Sequence, residues 1–529
     1  MTDNAAGQRW WQGAVLYQLY VRSWRDSNAD GYGDIPGIIE GLDYLSWLGV
    51  DAVWLSPTMP SPDDDWGYDV SDYTGVHPEL GTMADLDALI SQAGERGIRV
   101  LLDLVPNHTS SAHPWFIDAA SSRGSEHRDY YMWADPAPDG GPPNNWRDAT
   151  GASAWAWHEP TGQYYLHNFL ETQPDLNWWL PEVHEQFAAI LAFWFDRGVA
   201  GFRVDVANGL YKDAHLRDNP PDDTGRPLGG RYGLKPVYNT NQPEVHGVYR
   251  EWRAIAERYQ PPRLLLGETW VPDARALAPF FGQDDELQLA FDFPFIFSVF
   301  TAEGLSDVVA STLAALPDTA SPVWTASNHD VGRFATRWCE GDERRVRLAL
   351  LVLATLPGAF VLYYGDEIGM TDVAVPPGLQ RDKMTRGNLG GQLIRDRART
   401  PMQWDTSPSA GFTAAGVTPW LPVGDPAAAN VEAQRGDPGS VLAFCRDLIS
   451  LRKAELGHGG LARYQQLPAP PGVWAYRCGG LLVAANVTGQ PVTAAGLTGS
   501  VLLSTGAGAT LEAGGLSLGP WQGLIARAG

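Results

Sequence analysis

Charged and polar side chains stand at the ends of several short apolar runs, where burial alone would favour another aliphatic residue. "RVLLDLVPNH" (99–108) carries Asp103 and closes on Asn107 and His108, and "GFRVDV" (201–206) carries Arg203 and Asp205. "RLLLGETW" (263–270) presents Glu268, and "PVWTASNHD" (322–330) closes on His329 and Asp330. A lone aspartate in such a place is usually a helix cap or a loop carboxylate. A whole set at corresponding ends asks for chemistry, and two carboxyl groups of unlike character suit cleavage of a glycosidic bond. One protonates the leaving oxygen and the other attacks or stabilises the sugar. Arg203 lies two residues before Asp205 on the same strand face, which predicts an ionised Asp205 with a lowered pKa, fit to act as nucleophile. Glu268 has no cation beside it in sequence and has Trp270 on its own face, which predicts a raised pKa, fit for a general acid.

The elements that must position these groups repeat a simple pattern. Eight β-rich runs occur at 14–21, 51–57, 99–108, 201–206, 263–270, 287–293, 322–330 and 360–369, with amphipathic stretches following them. Eight alternations of this kind predict a closed (β/α)₈ TIM barrel, whose reactive groups gather at the C-terminal ends of the strands. The interval after the third run opens with the Gly, Pro, Asp and Trp-rich "ADPAPDGGPPNNWRDATGASAWAWHEP" and is too long for a loop. It predicts an inserted domain at 109–178, dividing the barrel into 1–108 and 179–455. After "LISLRKAEL" the texture changes to short alternating segments, which predict a C-terminal antiparallel β-sandwich over 456–529.

Composition narrows the partners. A net charge of −24 with no compensating Lys/Arg cluster disfavours nucleic acid and anionic membranes, and no apolar run is long enough to cross a bilayer. The substrate is therefore expected to be a neutral small molecule. Three widely spaced cysteines, Cys339, Cys445 and Cys478, read as core thiols rather than a disulfide framework. The start, "MTDNAAGQRWWQGAV", lacks the basic and apolar regions of an export signal, so the expected compartment is the cytoplasm and the expected assembly a monomer or homodimer.

With those residues in view, "GYDVSDY" (67–73), "DLVPNH" (103–108), "QPDLNW" (173–178), "GFRVDVAN" (201–208), "GETW" (267–270) and "SNHD" (327–330) resemble the ordered signature segments of the α-amylase family of glycoside hydrolases, family 13. With "RDRARTPMQWD" (395–405) they are similar to its α-glucosidase and oligo-1,6-glucosidase branch. Seven segments in order are a specific signal. The resemblance implies a retaining, exo-acting α-glucosidase that releases glucose from the non-reducing end of short α-glucosides by double displacement. It implies Asp205 as nucleophile, Glu268 as acid/base and Asp330 as the third acid, with His108, His329 and Arg203 in the same subsite. Tyr68 would stack under the glucose, and Phe169 and Gln173 would border it. Asp69 and Arg399 would clamp the outer hydroxyls, as a bidentate pair walling off the pocket.

The stretch "DSNADGYGDIPGI" (26–38) begins like a calcium-sensor loop but has Gly37 where a bidentate Glu belongs, and a strand precedes it. By analogy with the same branch, a structural Ca²⁺ would be held by Asp26, Asn28, Asp30, the Tyr32 carbonyl and Asp34. No organic cofactor is implied. Val206, next to the nucleophile, points to α-1,6 bonds by resemblance, whereas "DVANGLYKD" with "GETWVPD" resembles enzymes favouring α-1,4 bonds, so linkage stays open. Transglucosylases and isomerases of the sucrose isomerase or trehalose synthase type would keep the same residues. A non-catalytic relative would be expected to have lost the acids, and a plain sugar-binding module would have no need of acids at strand ends.

Overall fold

The computed structural model describes residues 9–222, 232–384, 395–457, 462–512 and 515–528. The sequence reading of the amino terminus rests partly on residues 1–8, which lie outside the described residues. Eight parallel strands close into a barrel: β1 (Val15–Leu19), β2 (Ala52–Leu55), β3 (Arg99–Leu104), β7 (Gly201–Val204), β8 (Leu264–Gly267), β9 (Leu289–Phe291), β10 (Ser321–Thr325) and β11 (Ala359–Tyr363). β1 pairs with both β2 and β11, so the sheet has no edge. Nearly every strand residue is buried, because side chains fill the barrel on one face and meet helices on the other. All eight anticipated strands are present. Several are shorter at their C-terminal ends than the apolar runs suggested, since Val105–His108, Ala326–Asp330 and Tyr364–Gly369 have left the ladder to build the mouth.

Between β3 and β7 the chain forms a helix, Pro114–Ser121, and a three-stranded antiparallel sheet of β4 (Trp133–Ala134), β5 (Trp155–His158) and β6 (Gln163–Leu166). This sheet has its own small core of Ala134, Trp146, Ala154, Trp155 and Leu166. Single bridges, His108 to Asp175 and Tyr131 to Leu176, tie it to the mouth. Beyond Tyr464 the chain is antiparallel β, in sheets of five and three strands around Val473, Leu482, Leu516, Leu518 and Leu524. All three cysteines are buried free thiols. No helix among the described residues is long and apolar enough to cross a membrane.

At the opposite end of the barrel from the mouth, Arg452 on the buried helix Val441–Glu455 fastens the approach to β1 and β11. Its guanidinium donates to the carbonyls of Ala354 (2.9 Å), Leu356 (2.8 Å), Gly358 and Gly13 (3.2 Å). Gly358 takes φ +91°, and a Cβ there would meet the Pro322 carbonyl at 2.4 Å. Arg452→Leu is expected to strand several buried carbonyls at about 1–3 kcal/mol each before relaxation. Differential scanning fluorimetry should show a clear fall in apparent melting temperature, with kcat in the surviving folded fraction unchanged.

Candidate active site

Strand register brings the chemistry together. β3 and β7 pair Asp103 with Arg203, and β7 and β8 pair Val204 with Gly267. Asp205 and Glu268 therefore sit one residue past the ladder on neighbouring strands, their amides still bonded to Leu104 and Val204. The Arg203 guanidinium is buried beneath them. Nη1 lies 2.8 Å from Asp103 and 2.7 Å from Asp205, and Nη2 lies 2.6 Å from Glu268. Burial would lower its pKa, but the carboxylates around it, Asp103 and Glu268 foremost, raise it well above the usual value.

Two electrostatic expectations are corrected by this arrangement. Glu268 does have a cation, Arg203, which reaches it across strands. Asp205, despite the same arginine, is pushed well above the ordinary carboxylate range, first by burial and then by the charges of Glu268 and Asp103. Three buried carboxyl groups around one guanidinium cannot all ionise at low cost, and Asp205 carries that cost as a raised pKa. Asp205 and Glu268 are close enough to hydrogen-bond one another. The second oxygen of Glu268 accepts the Val206 amide at 3.0 Å, an amide aimed there because Val206 adopts φ +46°. A β-branched residue in the left-handed region is strained by roughly 1–3 kcal/mol, a cost typical of functional sites.

A second network runs along the neighbouring wall. Gln18 Nε2 donates to His329 Nδ1 at 2.8 Å, which leaves the imidazole proton on Nε2, 2.7 Å from the Tyr68 hydroxyl and 3.3 Å from Asp330. Tyr68 in turn donates to Asp103 at 3.1 Å, and its ring stacks on His329. Burial keeps the His329 pKa far below its usual value, so the ring is neutral. Burial would raise the Asp330 carboxyl, but the His329 Nε2–H facing it at 3.3 Å and the guanidiniums of Arg395, Arg399 and Arg203 hold it well below the usual range. Arg399 donates to the His329 carbonyl at 2.9 Å and to Asp330 at 3.2 Å. His108 accepts from Asn107 at Nδ1 and donates from Nε2 to the Tyr68 carbonyl at 3.0 Å; Phe169 packs against its ring at 5.0 Å and Gln173 Nε2 lies 3.1 Å away.

The anticipated Asp69–Arg399 clamp is not what the structure contains. Trp66 and Gly67 both take positive φ, so the loop reverses and Asp69 falls inside its own turn. There it accepts the Ser61 hydroxyl (2.7 Å) and the Asp64 and Asp65 amides (2.9 and 3.0 Å), and burial lifts its pKa to about 6. The residue presented to the pocket is Asp65, 2.6 Å from Arg395 and 3.2 Å from Gln173. Arg395 also meets Asp382 at 2.6 Å and Asp330 at 3.2 Å. Asp65 was missed because it belongs to "DDD" (63–65), which reads as a solvated run, although Arg395 lies in one of the quoted segments.

In the loop at 26–34, Asp26 accepts the amides of Ala29 (2.7 Å) and Gly31 (2.8 Å), Asn28 that of Asp30 (3.0 Å), Asp30 that of Tyr32 (2.8 Å), and Asp34 that of Gly37 (2.7 Å). The donor set is all oxygen, as a hard cation requires. Asp63, His77 and Glu79 form the one cluster of three metal-capable side chains with converging ligand atoms among the described residues. Its cation is already the Arg22 guanidinium, 2.7 Å from Asp63 and 2.9 Å from Glu79.

A parallel barrel whose mouth holds two hydrogen-bonded carboxyl groups, a third acid and neutral histidines is the apparatus of a glycoside hydrolase. The model of the α-amylase catalytic domain matches residues 18–459, and the chain belongs to that family of glycoside hydrolases. It is 39% identical over 470 residues to a probable alpha-glucosidase of Rhizobium meliloti (strain 1021), covering 84% of this chain and 83% of the relative. Identity is also 39% over 479 residues to an oligo-1,6-glucosidase of Parageobacillus thermoglucosidasius, covering 84% of each. The crystal structure of an alpha-glucosyl transfer enzyme superposes with a TM-score of 0.92 at 36% identity, covering 98% of this chain and 99% of that one.

Asp205→Asn and Glu268→Gln are each expected to lower kcat on small α-glucosides by about 10³-fold. Because the raised carboxyl of Asp205 takes up a proton on folding, it costs stability at pH values above its unfolded pKa and ceases to do so as pH falls. Asp205→Asn should therefore melt no lower than the parent at pH 7 while being inactive. The wall separates its two aspartates: Asp65→Ala should lower kcat/KM on maltose by about 100-fold, or roughly 2.7 kcal/mol, at unchanged melting temperature, whereas Asp69→Ala should lower the melting temperature as well.

Proposed function

We propose that this enzyme is a retaining, exo-acting α-glucosidase that removes single glucose units from the non-reducing ends of short α-glucosides. The observation that carries the reading is the pair Asp205 and Glu268, both held by the Arg203 guanidinium at 2.7 and 2.6 Å and faced by the Asp65–Arg395 pair. Two carboxyls sharing one guanidinium suit the close spacing of a retaining enzyme better than the roughly 6.5–9.5 Å that an inverting one needs for its water. Arg203 stabilises the Asp205 carboxylate, which attacks the anomeric carbon as Glu268 gives its proton to the departing oxygen. Glu268 then takes a proton from water as that water displaces Asp205. Asp330, held ionised by its three arginines, accepts hydrogen bonds from sugar hydroxyls, and the neutral His329 and His108 donate or accept without adding charge. Names borne by the relatives agree with an α-glucoside substrate.

The wall supports the exo mode, because cleavage inside a polymer needs a groove open on both sides of the reacting ring. Maltotetraose should yield glucose and maltotriose at the earliest times, with the α-anomer formed first by NMR. Early release of maltose would overturn the exo reading. Transfer to a sugar acceptor is the second reading, favoured by the likeness to a glucosyl transfer enzyme. Oligosaccharide products growing with maltose concentration, or isomerised sucrose, would mark it. A rate panel over maltose, isomaltose, sucrose and trehalose decides linkage. We further place the enzyme in the cytoplasm, as a monomer or homodimer, in keeping with its three free thiols.

A structural Ca²⁺ in the 26–34 loop is part of the same reading. Asp26, Asn28, Asp30, the Tyr32 carbonyl and Asp34 would hold it, and the ion would brace the loop after β1 without entering the chemistry. Purified without chelator, the protein should contain one Ca²⁺ per chain, and its removal should lower the melting temperature by mass action. Metal analysis finding none, or an Asp30→Ala variant that melts like the parent, would remove the ion from the account.

A further inference from the structure

A cleft of about 520 Å³ opens between the inserted region and the loop that follows β7, and none of its lining residues belongs to the pocket around Asp205. Its volume falls within the roughly 300–1,000 Å³ of ordinary small-molecule sites. Trp179 stands on one side, 42% exposed although indoles are highly buried on average. The ring is nevertheless fixed. Its N–H donates to the Lys212 carbonyl at 2.9 Å, and the Tyr211 ring meets it edge-on at 4.9 Å and 89°. Across the cleft Arg128 lies 3.3 Å over the ring of Trp133. Asn177 and Asp129 complete the polar lining, and the Asp129 carboxylate accepts no hydrogen bond from the described residues.

The chemistry of the lining selects the ligand. An anion would need a free cationic donor, but Arg128 is already bonded to the Ala119 carbonyl (2.7 Å) and Gln163 (2.5 Å). Arg123 beside it is bonded to the Thr161 carbonyl (2.7 Å) and lies 3.1 Å from Asp135. Asp129 adds a negative charge that would repel an anion, and an apolar ligand would offer that carboxylate no hydrogen-bond donor. A pyranose satisfies both demands: its C–H face stacks on an indole and its hydroxyls donate to a carboxylate and an amide. Lys212, whose carbonyl holds Trp179, carries a buried ammonium 2.6 Å from Asp175 and 2.8 Å from Asn107.

We propose that this cleft is a second, non-catalytic site for a neutral α-linked oligosaccharide, held on Trp179 and Asp129. The ligand class rests on the α-glucosidase reading, but the cleft makes no contact with the catalytic acids. The test is equilibrium dialysis of maltotriose against the inactive Asp205→Asn chain and against the same chain carrying Trp179→Ala or Asp129→Ala. Bound maltotriose is expected to fall by one per chain with Trp179→Ala, and to be retained with Trp179→Tyr, which keeps an aromatic face. Asp129→Ala, at an exposed side chain, is expected to weaken that component about tenfold. In the otherwise native enzyme, Trp179→Ala should leave kcat/KM on maltose unchanged. Equal binding by Asp205→Asn with and without Trp179→Ala and Asp129→Ala would overturn the proposal. A Trp179-dependent site in a protein that turns over no α-glucoside would uphold the cleft and sink the hydrolase reading alone.

Discussion

One buried guanidinium serves three buried carboxyl groups, and much of the mouth is arranged around that shortage. Arg203 cannot neutralise Asp103, Asp205 and Glu268 at once, so Asp205 is pushed well above the ordinary carboxylate range by burial and by its two acidic neighbours. In water the same three acids would ionise independently. Inside the barrel, where the solvent that would screen them is gone, burial and the neighbouring acids raise Asp103 and Asp205. A raised carboxyl of this kind costs folding stability at pH values above its unfolded pKa.

Asp330 illustrates the opposite treatment with the same side chain. Two further arginines, Arg395 and Arg399, converge on it from the segment after β11 and keep it charged. The contrast between Asp205, buried and with a raised pKa, and Asp330, half-buried and with a lowered one, comes largely from how many cations each can reach. Arg395 carries a second duty, because its other contacts, Asp65 and Asp382, close the pocket. Ground-state charge and the shape of the cavity are consequently linked through one side chain. Asp69 contributes from beneath by fixing the turn that offers Asp65, so its influence on the pocket is exerted through the backbone.

The inserted region contributes Phe169 and Gln173 to the rim beside His108, tied down by the bridge from His108 to Asp175 and by the buried Lys212. The Lys212 carbonyl also holds Trp179 at its cleft. Irregular chain of this length stays ordered because it brings its own core, centred on Trp146 and Trp155, and hangs on the barrel through few connections.

The eight strands, the insertion, the C-terminal sheets and the catalytic acids were legible from sequence because each rests on short-range facts. Apolar runs of strand length punctuated by helices imply a parallel barrel, and a barrel implies that polar residues at strand ends share a mouth. That alone gathers Asp205, Glu268 and Asp330 at one mouth, whereas their roles as nucleophile, acid/base and third acid were implied by the family resemblance. What tertiary structure decided was which charges meet. Arg203 is two residues from Asp205 but reaches Glu268 only through the register of β7 against β8. Arg395 stands four residues before Arg399, and Asp65 four before Asp69, yet the first of each pair forms the wall, because two consecutive residues with positive φ turn Asp69 inward. The local pattern sets side-chain type and strand face, but a pKa or an ion pair depends on distances of a few ångströms between distant segments, 330 residues apart for Arg395 and Asp65, and those are set only when the barrel closes.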